Sequence, residues 1–474
     1  MPSTASTASS QPERTGELSA AGWLARLDDG SVSACEIARH YLDRIAAVDP
    51  ALHAVVACDP AAVIDAAGEA DAARARGERG PLLGLPVTIK DSIDVAGLPC
   101  TGGSIARAGH RPARDATVVA RLRGAGAIIL AKTNVPEYSS SYETDNVVHG
   151  RTNHPLDPAR TPGGSSGGEA ALVAADATPL GIGTDGGGSL RVPAHYCGIV
   201  GLRPTVGRVP DTGIWPATRA GGYMDLFCVG PIARRVEDVA LTMPVIAGPD
   251  WIDPYAVPAP LGDHHTIAID GLRVGWFAGD PRLAISNATL AALAAAAGAL
   301  ADAGATVTEV SAPWEEDPTA LFFDCVAADG GAQLRADLGA ADRHVPQFQA
   351  LIDAVERVER TAADWFSVQR RVFEVRRRVR ELAASVDVLL CPVVAGPAPR
   401  HGEAPGPPTA GAEPYRAFDY VHLLALGGLP AASVPAGSEV GLPVGVQVAA
   451  PPFREDLVLA AAAIIESRLP SILS

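Results

Sequence analysis

Two glycine-rich turns that each hold a serine decide the interpretation of this chain: Gly163-Gly164-Ser165-Ser166-Gly167-Gly168 and Gly183-Thr184-Asp185-Gly186-Gly187-Gly188-Ser189. Glycine lets a backbone approach a ligand closely and aim its N–H groups at it, so such turns can bind an anion. A helix-compatible run to Ala177 and a short strand from Pro179 join the two turns. The stretch therefore predicts an α/β core in which two serines flank an anion-binding backbone.

Short apolar runs with glycine and proline punctuation surround these turns. The run 86–89 predicts a buried strand leading into Lys90 and Asp91. Farther on, 272–277, 286–303 and 305–310 predict a strand–helix–strand unit and hence a parallel pair of strands. Later strands are expected at 386–391, 431–434 and 444–448, before a final helix at 455–468. The predicted fold class is α/β: a single large domain whose mixed central β-sheet is covered by helices on both faces.

The domain organisation follows from composition. Residues 1–12 are rich in serine, threonine and alanine and are expected to form a disordered lead-in to one domain over 13–474. N-terminal helices are expected over 13–76, with Ser31 capping one that ends at Asp49-Pro50. Residues 280–420, which include a charged helical stretch, are expected to form a variable region around the substrate pocket.

Charge and composition exclude several functions. With 38 basic against 54 acidic residues and a net charge of −16, the chain lacks the positive footprint that nucleic acids require. No apolar run reaches about 18 residues and no signal peptide is visible, so a cytoplasmic protein without a membrane partner is expected. The 7 cysteines show no CxxC spacing, and neither a metal nor an organic cofactor is implied.

The scarcity of lysine points to individual candidate residues. Of the 38 basic residues only Lys90 and Lys132 are lysines. Arginine stays protonated in proteins, whereas a buried lysine can lose its proton and act as a base. Each lysine is therefore a candidate for proton transfer, with survival by chance as the alternative.

Three other interpretations of the serine turns remain to be weighed. Gly163 to Gly167 also fits G-x-S-x-G, the nucleophile elbow of α/β-hydrolases, with Ser165 as the nucleophile. That motif must follow a strand, and the preceding residues 154–162 contain three prolines. A flexible Gly/Ser linker and a phosphate cradle at 184–189 are weaker, because the first would not sit inside a compact pattern and the second lacks the P-loop lysine.

The sequence resembles the amidase signature family in four separate segments, and the likeness extends over nearly the whole chain. The segments are Leu85-Pro86-Val87-Thr88-Ile89-Lys90-Asp91, the two serine turns, and Cys197-Gly198-Ile199-Val200-Gly201-Leu202-Arg203-Pro204-Thr205. The resemblance implies a triad in which Ser189 is the nucleophile, Ser165 the bridging serine and Lys90 the base. It also implies a cis peptide before Ser165, which the sequence cannot show.

Further roles follow from the same resemblance. The backbone N–H groups of Gly186, Gly187 and Gly188, with that of Ser189, fall where the family places its oxyanion hole. The family usually carries a branched aliphatic residue where this chain has Gly186, a departure that would loosen the turn or widen the acyl site. The residues expected to support the triad are Ser166, Thr184, Asp185 and Arg191, and Ser139 is a weaker candidate for substrate binding.

The resemblance leaves the substrate open. The expected function is an amidase that cleaves a small amide, anilide or carbamate (a urethanase activity) through an acyl-enzyme, with esterase side activity, as a monomer or homodimer. The alternatives are the A subunit of a glutamyl-tRNA amidotransferase, an elbow-type esterase and an inactive scaffold. Aromatic residues expected to wall the pocket are Phe322, Phe323, Trp365, Phe366, Phe418 and Tyr420.

Overall fold

A computed structural model describes residues 19–216, 225–279, 283–356, 361–403, 414–470 and 473. Within these residues eleven strands form one sheet. In chain order they are β1 (Val55–Ala57), β2 (Pro86–Lys90), β3 (Ile128–Thr133), β4 (Leu180–Asp185), β5 (Val200–Arg203), β6 (Cys228–Ala233), β7 (Arg273–Trp276), β8 (Thr306–Glu309), β9 (Val388–Pro392), β10 (Ala431–Glu439) and β11 (Leu442–Ala449).

Fourteen α-helices lie in the described part of the chain. They are α1 (Ala20–Asp28), α2 (Ala34–Leu52), α3 (Pro60–Ala75), α4 (Thr117–Gly124), α5 (Gly167–Ala174), α6 (Arg191–Cys197), α7 (Val236–Ile246), α8 (Asn287–Asp302), α9 (Pro318–Val326), α10 (Ala332–Leu338), α11 (Pro346–Glu356), α12 (Ala362–Ser385), α13 (Asp419–Gly427) and α14 (Glu455–Arg468). Among the described residues, no helix is both long and apolar enough to cross a membrane.

The sheet runs in the order β1-β3-β2-β4-β6-β5-β10-β11-β9-β7-β8. β2 pairs in parallel with β3 and β4, and β7 with β8 and β9, while the remaining pairs are antiparallel. The predicted mixed sheet in a single large α/β domain is confirmed. The strand–helix–strand unit is present as β7, α8 and β8, with the expected parallel pairing.

Helices cover the sheet on both faces, as the burial of its central strands requires. Side chains of a strand alternate between the two faces, yet every residue of β2, β3, β4, β6 and β11 is buried. Both α6 and α14 pack on β10 and β11. Burial falls off at the outer strands β1 and β8, at both ends of β7 and toward the end of β10.

The N-terminal helices differ from the sequence expectation at their boundaries. Ser33, not Ser31, caps α2: its hydroxyl accepts from the Glu36 N–H at 3.1 Å, and Glu36 accepts from the Ser33 N–H at 2.8 Å. α2 also continues through Pro50 to Leu52. Proline costs only one hydrogen bond in this last turn, and the Asp49 carboxylate receives the next backbone N–H groups, of Ala54 and Val55.

The expected disordered lead-in, residues 1–12, lies outside the described residues. The region 280–420 is helical over α9 to α12 as predicted, and it also contributes β9 to the sheet. It is therefore joined to the core sheet.

Candidate active site

Lys90 is the last residue of β2 and is fully buried. Its Nζ donates to Ser165 Oγ at 2.6 Å and to Thr184 Oγ1 at 2.7 Å. Thr184 belongs to β4, which pairs in parallel with β2, so the sheet register brings the two side chains together. Three of the residues named from the sequence are thus in direct contact.

Burial determines the protonation of Lys90. Without water to solvate its charge, burial lowers the pKa of the ammonium to about 7, although the carboxylates of Asp185 and Glu169 favour the charged form. Its two hydrogen-bond partners above are neutral hydroxyls. Such a lysine can hold or release a proton near neutral pH.

Glu169 is a buried residue that the sequence did not single out. Its carboxyl group accepts from Thr88 at 2.5 Å and from Thr133 at 2.8 Å. Burial raises the pKa of Glu169 to about 8 despite these hydrogen bonds. The protonated form therefore predominates at pH 7, which limits the negative charge near Lys90. In the sequence, only its position two residues after Gly167, beside the first serine turn, could have suggested that Glu169 lies near Lys90.

The turn that carries Ser165 has almost no room for side chains. The Gly164–Ser165 peptide is cis. A Cβ on Gly164 would lie 2.3 Å from the Ser141 carbonyl oxygen, so only glycine fits there. The next residue links the two turns, because the Ser166 N–H donates to the Ser189 carbonyl at 3.1 Å.

Asp185 and Arg191 hold the second turn, as their sequence positions suggested. Both are fully buried, and the Arg191 guanidinium donates to both oxygens of Asp185, at 3.0 and 2.9 Å. Burial alone would raise the pKa of the Asp185 carboxyl, but the charges of Arg191 and Arg203 outweigh it and keep the pKa well below its usual range. A carboxylate thus stays ionised at the base of the turn.

The same carboxylate organises the glycines. Its oxygens accept from the Gly188 N–H at 2.7 Å and the Leu190 N–H at 3.2 Å. Gly188 has φ 123°, a conformation that favours glycine. The pocket above the turn is lined by Gly186, Gly187 and Ser189. Because its N–H already donates to Asp185, Gly188 is the least available of the three glycines named from the sequence.

Five aromatic residues and four serines contribute to the lining of the pocket at this turn. Its lining residues are Tyr138, Ser139, Ser140, Ser141, Tyr142, Gly186, Gly187, Ser189, Pro216, Phe227, Phe322, Phe323 and Leu351. None of these described lining residues carries a charge. Ser139 and Ser189, both named from the sequence, therefore face one cavity.

Only some of the aromatic residues expected to wall the pocket are found in its lining. Phe322 and Phe323 line the pocket. Phe366 is 70% exposed, whereas Tyr420 is fully buried in the core. Phe418 stacks on the lining residue Tyr142. Sequence reasoning missed Tyr142 and Phe227, which lie in segments without clear periodicity.

Lys132 differs from Lys90 in its contacts. It is also fully buried, but its Nζ donates to the Ile93 carbonyl and lies 3.6 Å from Asp91 Oδ1. These contacts fit a structural role for Lys132.

Comparison with known proteins agrees with this fold. A family model described as Amidase matches residues 36–459, a range that contains the lysine strand and both serine turns. The chain therefore belongs to the amidase signature family of enzymes that act on C–N bonds.

Relatives within the family divide between two kinds of protein. The A subunit of the glutamyl-tRNA(Gln) amidotransferase of Salinispora tropica is 35% identical, over 94% of this chain and 96% of its own. The crystal structure of a bacterial aryl acylamidase superposes with a TM-score of 0.86 at 28% identity, covering 95% of this chain and 96% of that one. The corresponding A subunit of Thermotoga maritima gives a TM-score of 0.79 at 26% identity, over 97% and 96% of the two chains.

Proposed function

We propose that this protein is an amidase that hydrolyses the C–N bond of a small, uncharged amide, anilide or carbamate through an acyl-enzyme on Ser189. One observation carries the proposal. A fully buried lysine donates to Ser165 at 2.6 Å, next to a pocket that Ser189 lines and to which no described residue brings a charge.

The proposed proton path starts at Ser189. Neutral Lys90 accepts the proton of Ser165, and Ser165 accepts that of Ser189, whose oxygen then attacks the substrate carbonyl. The N–H groups of Gly186, Gly187 and Ser189 stabilise the oxyanion of the tetrahedral intermediate, an effect of about 3 kcal/mol for one donor in comparable sites. As the C–N bond breaks, Ser165 returns a proton to the amine and recovers one from Lys90. Water then releases the acid by the same path.

The pocket lining supports an uncharged, partly aromatic acyl or leaving group. Side chains such as Phe227 and Phe322 offer apolar surface and ring faces, and the serines offer neutral hydrogen-bonding groups. An ester of the same shape presents a better leaving group, so esterase side activity is expected. The substrate is proposed to be a small molecule handled in the cytoplasm by a monomer or homodimer, without nucleic acid or membrane.

A second candidate is the A subunit of a glutamyl-tRNA(Gln) amidotransferase, which the Salinispora relative favours. Its glutamine substrate would bring both a carboxylate and an ammonium group. The described pocket lining offers no charged side chain to either, and a buried charge without a partner is costly. We therefore place the stand-alone amidase first.

Hydrolysis of a chromogenic panel tests the proposal: a p-nitroanilide, an aryl carbamate and a p-nitrophenyl ester, with wild type and Ser189→Ala. We expect turnover by the wild type and a loss of about a thousandfold or more in the variant, because removing a nucleophile abolishes the covalent path. Ser467→Ala, an exposed helix-end serine that donates to the Ile464 carbonyl, is the control and should match the wild type.

Other results would reject the proposal in distinct ways. Activity retained in Ser189→Ala but lost in Ser165→Ala would favour the elbow-type esterase. No turnover of the panel, with glutamine hydrolysed only in the presence of amidotransferase partner proteins, would favour the second candidate.

A further inference from the structure

The hydroxyl of Tyr142, one of the residues that line the pocket, contacts the glycine turn. It lies 2.6 Å from the Gly187 carbonyl oxygen and 2.6 Å from His422 Nε2. The Tyr142 ring stacks on Phe418, with centroids 3.8 Å apart and planes 18° apart. The ring is thus held independently of the hydroxyl.

One peptide group of the turn is thereby held at both ends. The Gly187 carbonyl accepts from Tyr142, and the N–H of the same peptide, on Gly188, donates to Asp185 at 2.7 Å. Three consecutive glycines have more backbone freedom to lose than any other tripeptide. Fixing this peptide plane fixes the direction of the neighbouring N–H groups that face the pocket.

The direction of each hydrogen bond follows from which atoms carry protons. A carbonyl oxygen only accepts, so the single hydroxyl proton of Tyr142 must point at Gly187. His422 Nε2 must then be the donor to Tyr142.

The chain of contacts continues behind the pocket to Asp419. His422 Nδ1 lies 2.8 Å from Thr319 Oγ1, which lies 2.6 Å from Asp419 Oδ1. Thr319 has only one hydroxyl proton to serve both neighbours. At least one further proton must therefore sit on His422 Nδ1 or Asp419 Oδ1.

We propose that Tyr142 is a positioning residue for the oxyanion-binding turn, and that a proton held between His422 and Asp419 keeps its hydroxyl directed at Gly187. This inference rests on the proposed function, since it assigns a role in the same site.

Loss of that proton would reverse the chain of hydrogen bonds. Ionised Asp419 only accepts, so Thr319 would donate to it and His422 Nδ1 would donate to Thr319. A neutral His422 could then only accept at Nε2, and the Tyr142 proton would turn away from Gly187. The Gly187–Gly188 peptide would lose one of its two hydrogen bonds, the one from Tyr142.

The surroundings determine where the proton resides. Burial lowers the pKa of His422 to about 3, with Arg191 acting in the same direction and Asp185 against it. Burial raises the pKa of Asp419 to about 6; Asp317 acts in the same direction, while Thr319 and Arg416 act against it. The proton therefore resides on Asp419, and it is lost as the pH rises through about 6.

The test measures the rate at which a fluorophosphonate labels Ser189, forming a P–O bond and releasing fluoride, as a function of pH. Tyr142→Phe keeps the stacked ring and removes the hydroxyl. We expect its maximal labelling rate below pH 6 to be roughly fivefold lower than the wild type's, with the half-saturating concentration little changed, since one net hydrogen bond is lost. The difference between the two labelling rates should shrink above pH 6. Because Lys90 titrates in both proteins, its effect cancels in the ratio of the wild-type rate to the variant rate.

Two further variants separate this role from a structural one. Tyr420→Phe removes a buried hydroxyl that donates to the Ala278 carbonyl at 2.8 Å, away from the pocket lining, and should label like the wild type. Asp419→Asn can accept from Arg416 with its oxygen and donate to Thr319 with its amide at every pH. Above pH 6, Asp419→Asn should therefore still be labelled faster than the Tyr142→Phe, Asp419→Asn double variant.

The outcomes are distinguishable. A wild type that the fluorophosphonate does not label would overturn the proposed function and this inference with it. A labelled wild type with a rate equal to that of Tyr142→Phe at every pH would overturn the inference alone. A constant fivefold difference from pH 5 to 9 would overturn the part assigned to the proton.

Discussion

The two lysines of the chain are equally buried and yet suited to different tasks. Lys90 donates to two hydroxyls, whereas Lys132 donates to a carbonyl beside the Asp91 carboxylate. A carboxylate stabilises the ammonium form, and a hydroxyl leaves the charge largely uncompensated. Residue usage in the sequence identified both as candidates, but only their neighbours distinguish them.

The pH dependence of hydrolysis tests the state of Lys90. Because burial lowers its pKa to about 7, the neutral base predominates above pH 7 and is lost below it. We expect kcat/KM to rise about tenfold per pH unit near pH 5, less steeply around pH 6 where Asp419 ionises, and to level off above about pH 7. The measurement is a pH–rate profile on the best substrate of the panel.

Lys90→Arg is the matched control, since arginine keeps its proton at every accessible pH. It should show no rising limb and almost no activity. A wild-type profile that is flat from pH 5 to 9 would contradict the assignment of Lys90 as the base.

At the scale of single elements, prediction succeeded where the signal is local. The periodicities of β7, α8 and β8 lie within one short stretch, and all three elements were found in place. For α13 no local signal indicated the contacts of His422. This residue contacts Thr319 of α9, and it also contacts Tyr142, which lies 280 positions earlier in the chain. Contacts of that kind depend on how the sheet orders its strands, which one sequence does not specify.

The start of α2 shows a local signal that was misassigned. Ser31 and Ser33 are both capping residue types, but only Ser33 has a glutamate three positions later. That spacing makes the reciprocal hydrogen bonds of a capping box, and it was available in the sequence.

Replacement of these two serines tests the assignment. Ser33→Ala removes the acceptor for the Glu36 N–H, and we expect it to lower the free energy of unfolding by about 1 kcal/mol. Ser31→Ala, in an exposed turn that ends α1, is the paired control and should cost much less. Guanidinium denaturation followed by circular dichroism measures both; equal losses would contradict the cap.

At the scale of the whole molecule, the sheet joins segments that are distant in sequence. The first half of the chain supplies Lys90, Ser165 and Ser189. The strands β10 and β11 come from near the end of the chain, yet they lie inside the sheet between β5 and β9. The family resemblance identified the segments of these three residues because they are contiguous motifs, and their roles as a triad stay a prediction. The pocket wall was predicted less well: Phe322 and Phe323 of α9 were named, but Tyr142 and Phe227 reach the pocket only through tertiary packing.

A shortened chain tests this dependence on the late strands. We expect a protein that stops after Gly428, which retains Lys90, Ser165 and Ser189, to be insoluble or unlabelled by the fluorophosphonate, since β5 loses its neighbour β10 and β9 loses its neighbour β11. A chain that stops after Pro470 keeps β10, β11 and α14 and should be labelled. Soluble, labelled protein from the shorter chain would show that the sheet does not need its late strands.

The position of β10 has a consequence for how a cell makes this protein. The edge of β5 meets its partner only after about 230 further residues have been translated, which takes on the order of 10–45 s at common elongation speeds. During that interval this edge of β5 is unpaired in the nascent chain, a state prone to aggregation. Yield in a foreign host should therefore respond to slower growth and added chaperones more than to promoter strength.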